Sequence, residues 1–219
     1  MISASAPRVK ICGLTRRADA EAAAEAGAAF LGVVLAAGYG RTVAAEHAAL
    51  LLHDLPAQRV GIFVDANADE IRSAAEVAGL DVLQLHGDEA PWEVEQLRVE
   101  GRWKVWKALR PRSAEEFTLQ LERYAGVVDG ILLDGWSVAA RGGTGERFPW
   151  EQVAPLREQI ASGVWLIAAG GLRAENVARA VALLRPDAVD VSSGVESARG
   201  IKDPDAIRAF VAAARQPNL

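Results

Sequence analysis

The fold class this sequence predicts is α/β, a closed parallel (βα)8 barrel, and three observations predict it. First, short apolar runs recur along the chain, at residues 9–12, 30–35, 59–64, 82–85, 103–108, 130–133, 164–168 and 188–191. Ala-, Leu- and Glu-rich stretches with helical spacing follow them, at 18–26, 44–55, 68–78, 91–100, 114–124, 149–160, 173–184 and 204–214. Strands that alternate with helices make a parallel sheet, because each crossover helix covers the sheet it leaves. Second, no linker or low-complexity tract interrupts that alternation over 219 residues. Residues 1–219 therefore read as one barrel domain, with 1–7 (MISASAP) as a flexible N-terminal tail. Third, polar residues stand at the carboxyl ends of strands from the first to the last. A closed ring gathers all of them at one mouth, which the alternative, a doubly wound open sheet, does not. Each unit of roughly 27 residues is slightly short for a barrel of typically ~250.

Composition excludes several classes of partner. A net charge of −5 without a basic block argues against nucleic acid and anionic membrane. No apolar run approaches the ~20 residues that span a bilayer. The chain carries a single cysteine, Cys12, so no intramolecular disulfide can form. That suits a reducing, cytoplasmic setting. The first seven residues lack the basic start and apolar core of a signal peptide. No metal-ligand cluster is visible, so no metal is expected.

Taken in order, the strands supply the candidate chemistry. The first reads VKICGLT (9–15). Alternation sends Val9 and Ile11 towards the helices and Lys10 and Cys12 towards the barrel axis. Cys12 is the last inward residue, at the mouth where barrel active sites form. It is a functional thiol or a small buried hydrophobe. After the second strand, the loop AAGYGRTV carries Arg41, a bidentate carboxylate ligand or a surface arginine. In the fourth, QLHGDE (84–89) turns Gln84 and His86 inward. His86 is an acid/base or substrate-binding group, or a hydrogen-bonded structural histidine.

The sixth strand, GILLDG, ends in an inward Asp134. A carboxylate after three apolar residues is costly to bury without a partner or a role. The GWSVAARGGTG that follows reads as a long loop rather than the start of a helix, which favours a catalytic Asp134 over an N-cap. GGTG (142–145) offers Gly143 as a substrate contact, or forms a lid; it lacks the Gly-Lys-Ser/Thr ending of a P-loop.

The last two units have one form. An apolar run over 164–169 stops at Gly170-Gly171, with a helical pattern from Arg173, and the run 188–191 stops at Ser192-Ser193-Gly194. Glycines at both strand ends let a ligand approach the main chain, and exposed N–H groups before a helix suit a phosphate. A phosphate site at the ends of strands seven and eight follows, on Gly170, Gly171, Ser193 and Gly194. Asp190 also points inward, as a candidate substrate contact. Strand eight lies beside strand one in a closed barrel, so Lys10 and Asp190 are expected to form a buried ion pair.

Together these pieces resemble the phosphoribosylanthranilate isomerases, TIM-barrel enzymes of tryptophan biosynthesis. The matching segments are VKICGLT (9–15), VGIFVD (60–65), LQLHGDE (83–89), LLDG (132–135) with GGTGERFPW (142–150), AAGGLRAENV (168–177) and VDVSSGVESARGIKD (189–203). They keep the family's order and span nearly the whole chain. The resemblance implies Cys12 as general base, Asp134 as general acid and Arg41 on the anthranilate carboxylate, and it makes Trp136, just after Asp134, a cover for the aromatic ring of the substrate or a loop-packing residue. It implies an Amadori rearrangement of N-(5-phosphoribosyl)anthranilate to 1-(2-carboxyphenylamino)-1-deoxyribulose 5-phosphate, without a cofactor, by a monomer or homodimer. The chief departure is AAGYGR, where family members carry Ser-Pro-Arg or Ser-Lys-Arg before the arginine.

Two rivals remain at this stage. The histidine-pathway aminoaldose isomerase uses aspartates at the ends of strands one and five, whereas strand one here ends in Cys12. A non-catalytic phosphosugar-binding paralogue is expected to have lost Cys12 or Asp134, and both are present. The assigned roles need a protonated Asp134 and a Cys12 thiolate, against ordinary values of about 3.9 and 8.5. Helix ends or bound substrate are expected to favour the thiolate.

Overall fold

A computed structural model describes residues 6–134 and 150–216. Among the described residues, eight barrel strands alternate with eight helices: β1 (Arg8–Ile11), α1 (Arg17–Glu25), β2 (Phe30–Val34), α2 (Ala45–Leu52), β3 (Gln58–Phe63), α3 (Ala68–Ala78), β4 (Val82–Leu85), α4 (Pro91–Val99), β5 (Lys104–Leu109), α5 (Ala114–Tyr124), β6 (Gly130–Asp134), α6 (Trp150–Val153), β7 (Trp165–Ala169), α7 (Ala174–Leu184), β8 (Ala188–Val191) and α8 (Pro204–Ala214). All eight strands pair in sequence order, and the sheet closes where β1 joins β8 in parallel. The closed barrel is the expected fold, and closure removes the exposed edges of an open sheet.

Strand parity divides the interior into two layers. Val9, Ile11, Leu31, Val33, Leu83 and Leu85 pack outward against the helices in one large apolar shell. Cys12, Phe30, Val60, Ile62, Trp106, Leu132 and Ile167 fill the barrel axis. The amino-terminal end of the axis is stopped by aromatic rings. Phe30 meets Trp106 edge-on at 5.0 Å and Trp165 at 6.0 Å, and the two indoles lie 6.5 Å apart. Such pairs add ~0.5–1.5 kcal/mol beyond the area they bury. Arg8 covers Trp165 from outside at 5.1 Å, and the side chains that line a cleft stand at the opposite, carboxyl end of the axis.

Local chemistry sets the helix ends. Asn67 and Glu70 form a reciprocal capping box on α3, Ser113 accepts the Glu116 N–H at the start of α5, and Asp203 caps α8. Two elements differ from the sequence expectation. The helix expected over 149–160 is α-helical only through α6, then tightens into a 3-10 turn at Ala154–Gln159. Pro155 explains this, since it lacks an N–H and its ring clashes with the carbonyl four residues back. Between β8 and α8 stands an unexpected antiparallel hairpin, β9 (Glu196–Ala198) with β10 (Ile201–Lys202), turned at Gly200 with φ +78°.

Candidate active site

The carboxyl end of the barrel opens into a cleft of about 330 Å³, within the range for a small-molecule site. Its lining draws on strand ends around the ring: Cys12, Gln84, His86, Asp134, Gly170–Leu172 and Asp190–Gly194, together with Arg41, Arg110 and Arg199. Cys12, Arg41, His86, Asp134, Gly170, Gly171, Asp190, Ser193 and Gly194, all singled out in the sequence, thus meet in one cavity. Gly143 and Trp136 lie outside the described residues.

The floor of the cleft is ionic. Lys10 Nζ lies 2.9 Å from Asp190 Oδ1, and the Lys10 side chain is wholly buried. The expected pair exists, and β1–β8 closure makes it, because Lys10 and Asp190 are register partners. Burial alone would lower Lys10, but Asp190 and Cys12 beside it hold it above its ordinary value. Gly32 on the neighbouring strand leaves space for this group: a Cβ there would come within 3.2 Å of both Cys12 Sγ and Lys10 Nζ.

Burial pushes the Cys12 thiol up, and Asp190 adds to that, while Lys10 and Lys202 pull the other way. Desolvation outweighs those ammonium groups.

Opposite stands Asp134, with its side chain 29% exposed. His86 Nε2 lies 3.1 Å from Asp134 Oδ2, and Arg110 Nε lies 3.8 Å from the same oxygen. His86 Nδ1 in turn meets Gln84 Nε2 at 2.9 Å. The loop that carries His86 is held from behind by a second buried pair. Lys107 Nζ contacts Glu89 Oε2 at 3.1 Å and donates to the Gly87 carbonyl at 2.7 Å, while Glu89 accepts the Gly87 N–H.

Arg41 is more committed than the sequence suggests. Its Nε and Nη2 each donate to a Glu196 oxygen at 2.7 Å, in a bidentate fork. Lys202 Nζ also reaches Glu196 Oε1 at 2.9 Å and donates to the Ser192 carbonyl at 3.0 Å. Burial would raise Glu196, but Arg41 and Lys202 bring it down to about 2.

The turns after β7 and β8 are the expected glycine sites. Gly170 and Gly171 hold φ of +82° and +67°, a left-handed conformation that glycine adopts without a Cβ penalty. A Cβ on Gly194 would sit 2.0 Å from the Leu172 carbonyl, so the two turns pack main chain on main chain. Asn176, in the first turn of α7, pins the arrangement by donating to the Gly171 carbonyl at 3.0 Å and accepting the Arg173 N–H at 2.8 Å.

Sequence reasoning missed Glu196, Lys202, Arg110 and Asn176. The segments VESARGIKD and AAGGLRAENV contain three of them, but nothing in their spacing says which side chains face the cleft. Among the described residues there is no cluster of His, Cys, Asp or Glu able to hold a metal ion, and no helix long and apolar enough to cross a membrane.

Comparison with known proteins decides the family. A family model described as N-(5'phosphoribosyl)anthranilate (PRA) isomerase matches residues 9–213. The chain belongs to the phosphoribosylanthranilate isomerase family. Among its relatives, N-(5'-phosphoribosyl)anthranilate isomerase of Pseudomonas putida is 46% identical over 212 residues, 95% of this chain and 98% of that protein. The Acinetobacter calcoaceticus protein of the same name is 41% identical over 207 residues, 93% of this chain and 94% of its own. The crystal structure of phosphoribosyl anthranilate isomerase from Thermotoga maritima superposes with a TM-score of 0.85 at 35% identity, covering 95% of this chain and 98% of that one. A solved family structure in complex with reduced 1-(o-carboxyphenylamino)-1-deoxyribulose 5-phosphate gives 0.83 at 33% identity, again over 95% and 98%. The activity is thus that of an isomerase of tryptophan biosynthesis.

Proposed function

We propose that this cleft rearranges N-(5-phosphoribosyl)anthranilate with Asp134 as general acid and Cys12 as general base. The observation that carries this reading is their common cavity: β1 and β6 deliver the two groups to one cleft whose rim holds the glycine turns of β7 and β8. The phosphate sits on the main chain of Gly170-Gly171 and Ser193-Gly194, before the N-terminus of α7, where unpaired N–H groups favour an anion. Arg41, held by Glu196 through Nε and Nη2, offers its Nη1 end to the anthranilate carboxylate.

Asp134 then protonates the ribose ring oxygen. The ring opens to a Schiff base, and Cys12 as thiolate removes the C2′ proton. The resulting enolamine tautomerises to the ketone. The Lys10 ammonium beside the sulfur stabilises the thiolate, while Asp190 keeps that ammonium charged in a buried site. Every described group named here comes from one chain, so a monomer and a homodimer serve equally. A reducing cytoplasm suits the lone catalytic thiol.

The test follows the fluorescence of freshly generated phosphoribosylanthranilate with wild-type protein, Cys12→Ala and Asp134→Asn. Wild type is expected to consume it rapidly, with each variant slower by at least ~10² to 10⁴, the usual cost of losing a proton-transfer group. Wild-type turnover in either variant would remove that residue from its role.

A further inference from the structure

His86 and Gln84 have no part in the chemistry above, yet they form a chain that ends on its acid. The Gln84 side chain is almost wholly buried, with the residue 1% exposed. Its Nε2 lies 2.9 Å from His86 Nδ1, and His86 Nε2 lies 3.1 Å from Asp134 Oδ2. The other end of the amide, Gln84 Oε1, is buried without a hydrogen-bond partner among the described residues. Which nitrogen of a histidine carries the proton is set by the hydrogen bond the other nitrogen makes. Here both ring nitrogens meet side chains whose polarity can reverse.

An amide's oxygen and nitrogen are nearly the same size, so a half-turn of Gln84 exchanges acceptor for donor at the same place. A neutral imidazole carries one proton, on one nitrogen or the other. With the amide nitrogen towards the ring, Nδ1 must accept, the proton sits on Nε2, and that N–H points at Asp134. Such a donor suits a carboxylate. With the amide oxygen towards the ring, Nδ1–H donates and the Nε2 lone pair faces Asp134. A lone pair suits the carboxylic acid, whose O–H donates to it.

We propose that Gln84 is a positioning residue that selects which nitrogen of His86 carries the proton, and so supports Asp134 first as acid and then as carboxylate. The proposal rests on the acid role given to Asp134. The protons balance: Nδ1–H with protonated Asp134 holds two, Nε2–H with the carboxylate holds one, and the difference is the proton given to the sugar oxygen. The ring exchanges its own proton with solvent through a side chain that is 19% exposed.

The charged neighbours of this chain are in fixed places. Arg110 faces Asp134 from the end of β5 and also donates to the His86 carbonyl at 2.7 Å. Asp190 faces the same cleft from β8, and Lys10 of β1 lies buried beneath it beside Cys12. Lys107 is turned away, towards Glu89.

The experiment reads the ring nitrogens of His86 directly, by ¹⁵N NMR of the imidazoles over a pH series. The chain has three histidines, and a His86→Asn variant identifies the signal. In wild type the proton is expected to move from Nδ1 to Nε2 as pH rises through the basic limb of the kcat/KM profile. Gln84→Met cannot accept from Nδ1–H. It should abolish the move and bring the basic limb down by about one pH unit, the tenfold change one hydrogen bond supplies. Gln84→Glu accepts only, and should pin the proton on Nδ1 at every pH. A single unchanging tautomer in wild type would overturn the proposal, as would an imidazolium protonated on both nitrogens throughout the range below the basic limb, or a Gln84→Met profile that superposes on wild type. If wild type shows no isomerase activity, the reading of the site fails instead, while the spectra still decide the behaviour of Gln84 and His86.

Discussion

The barrel contains two buried lysine–carboxylate pairs that look alike and behave oppositely. Lys10 with Asp190 joins β1 to β8 across the seam, on the axis side; Lys107 with Glu89 joins β5 to the loop after β4, on the helix side. Strand parity decides which is which, since Lys10 shares its face with Cys12 and Lys107 shares its face with Val105 and Leu109. Lys10 has one carboxylate and a thiol for neighbours and is held above its ordinary value. Burial brings Lys107 down despite Glu89, and three backbone carbonyls take its N–H groups. The same residue pair therefore serves as electrostatic support for a thiolate in one place and as a fastener for a loop in the other. What differs is not burial but what shares the pocket.

Removing one partner should break the likeness most visibly. Lys10→Met strands Asp190, and chemical denaturation should show a loss of about 3–5 kcal/mol, the cost of an uncompensated buried charge. Its kcat should fall as well, because the thiolate loses its ammonium. Lys10→Met with Asp190→Leu should recover much of the stability but none of the rate; recovery of the rate would detach the pair from catalysis. Lys107→Met should cost a similar amount of stability, yet lower kcat less than Lys10→Met does, since Lys10 lies beside the Cys12 sulfur and Lys107 faces the helices.

Alkaline denaturation sharpens the contrast through its sign. Lys10 sits above 10.5 in the folded protein, so its stabilisation is complete below that pH and is lost as pH rises through the folded value. Lys107 sits below 10.5, so the unfolded chain binds the extra proton and wild-type stability should rise with pH between the folded value and 10.5. Stability curves of the two lysine variants relative to wild type should therefore have opposite slopes on the alkaline side. Parallel slopes would mean that the two sites share one electrostatic environment.

A smaller effect belongs to Glu196. Glu196→Gln should lose about 1.5–3 kcal/mol, the worth of hydrogen bonds to charged groups. With a folded value of about 2 against an ordinary 4.5, that difference should be constant above pH 4.5 and close as pH falls towards 2. A deficit that persists undiminished near pH 2 would assign Glu196 a role other than ionic.

Much of this was legible in the sequence for a simple reason: parity is a local property. Alternation alone placed Lys10, Cys12, Gln84, Asp134 and Asp190 on the axis, and ring closure then put Lys10 beside Asp190. Glu89, Glu196 and Lys202 stand in loops and short pieces where parity has no meaning. Their partners are fixed by how loops fold back, so the Arg41–Glu196 fork and the Lys107–Glu89 fastener had no written signal. The same limit applied to α6, where Pro155 was visible but the point at which the helix tightens was not. Burial of Cys12 was foreseeable; that it would outweigh two ammonium groups was a question of distances.

The seam between β1 and β8 has a consequence for how the chain is made. Lys10 and Asp190 are 180 residues apart in sequence, and every other strand of the barrel lies between them. At about 5–20 residues per second, the ribosome delivers the second partner on the order of ten seconds or more after the first. For that interval the nascent protein carries its one thiol and an unpaired lysine at an open edge. The last barrel strand to emerge both locks the cylinder and hides the Cys12 sulfur, so a chain cut short before Asp190 would be unfinished and leave that thiol open at the same spot.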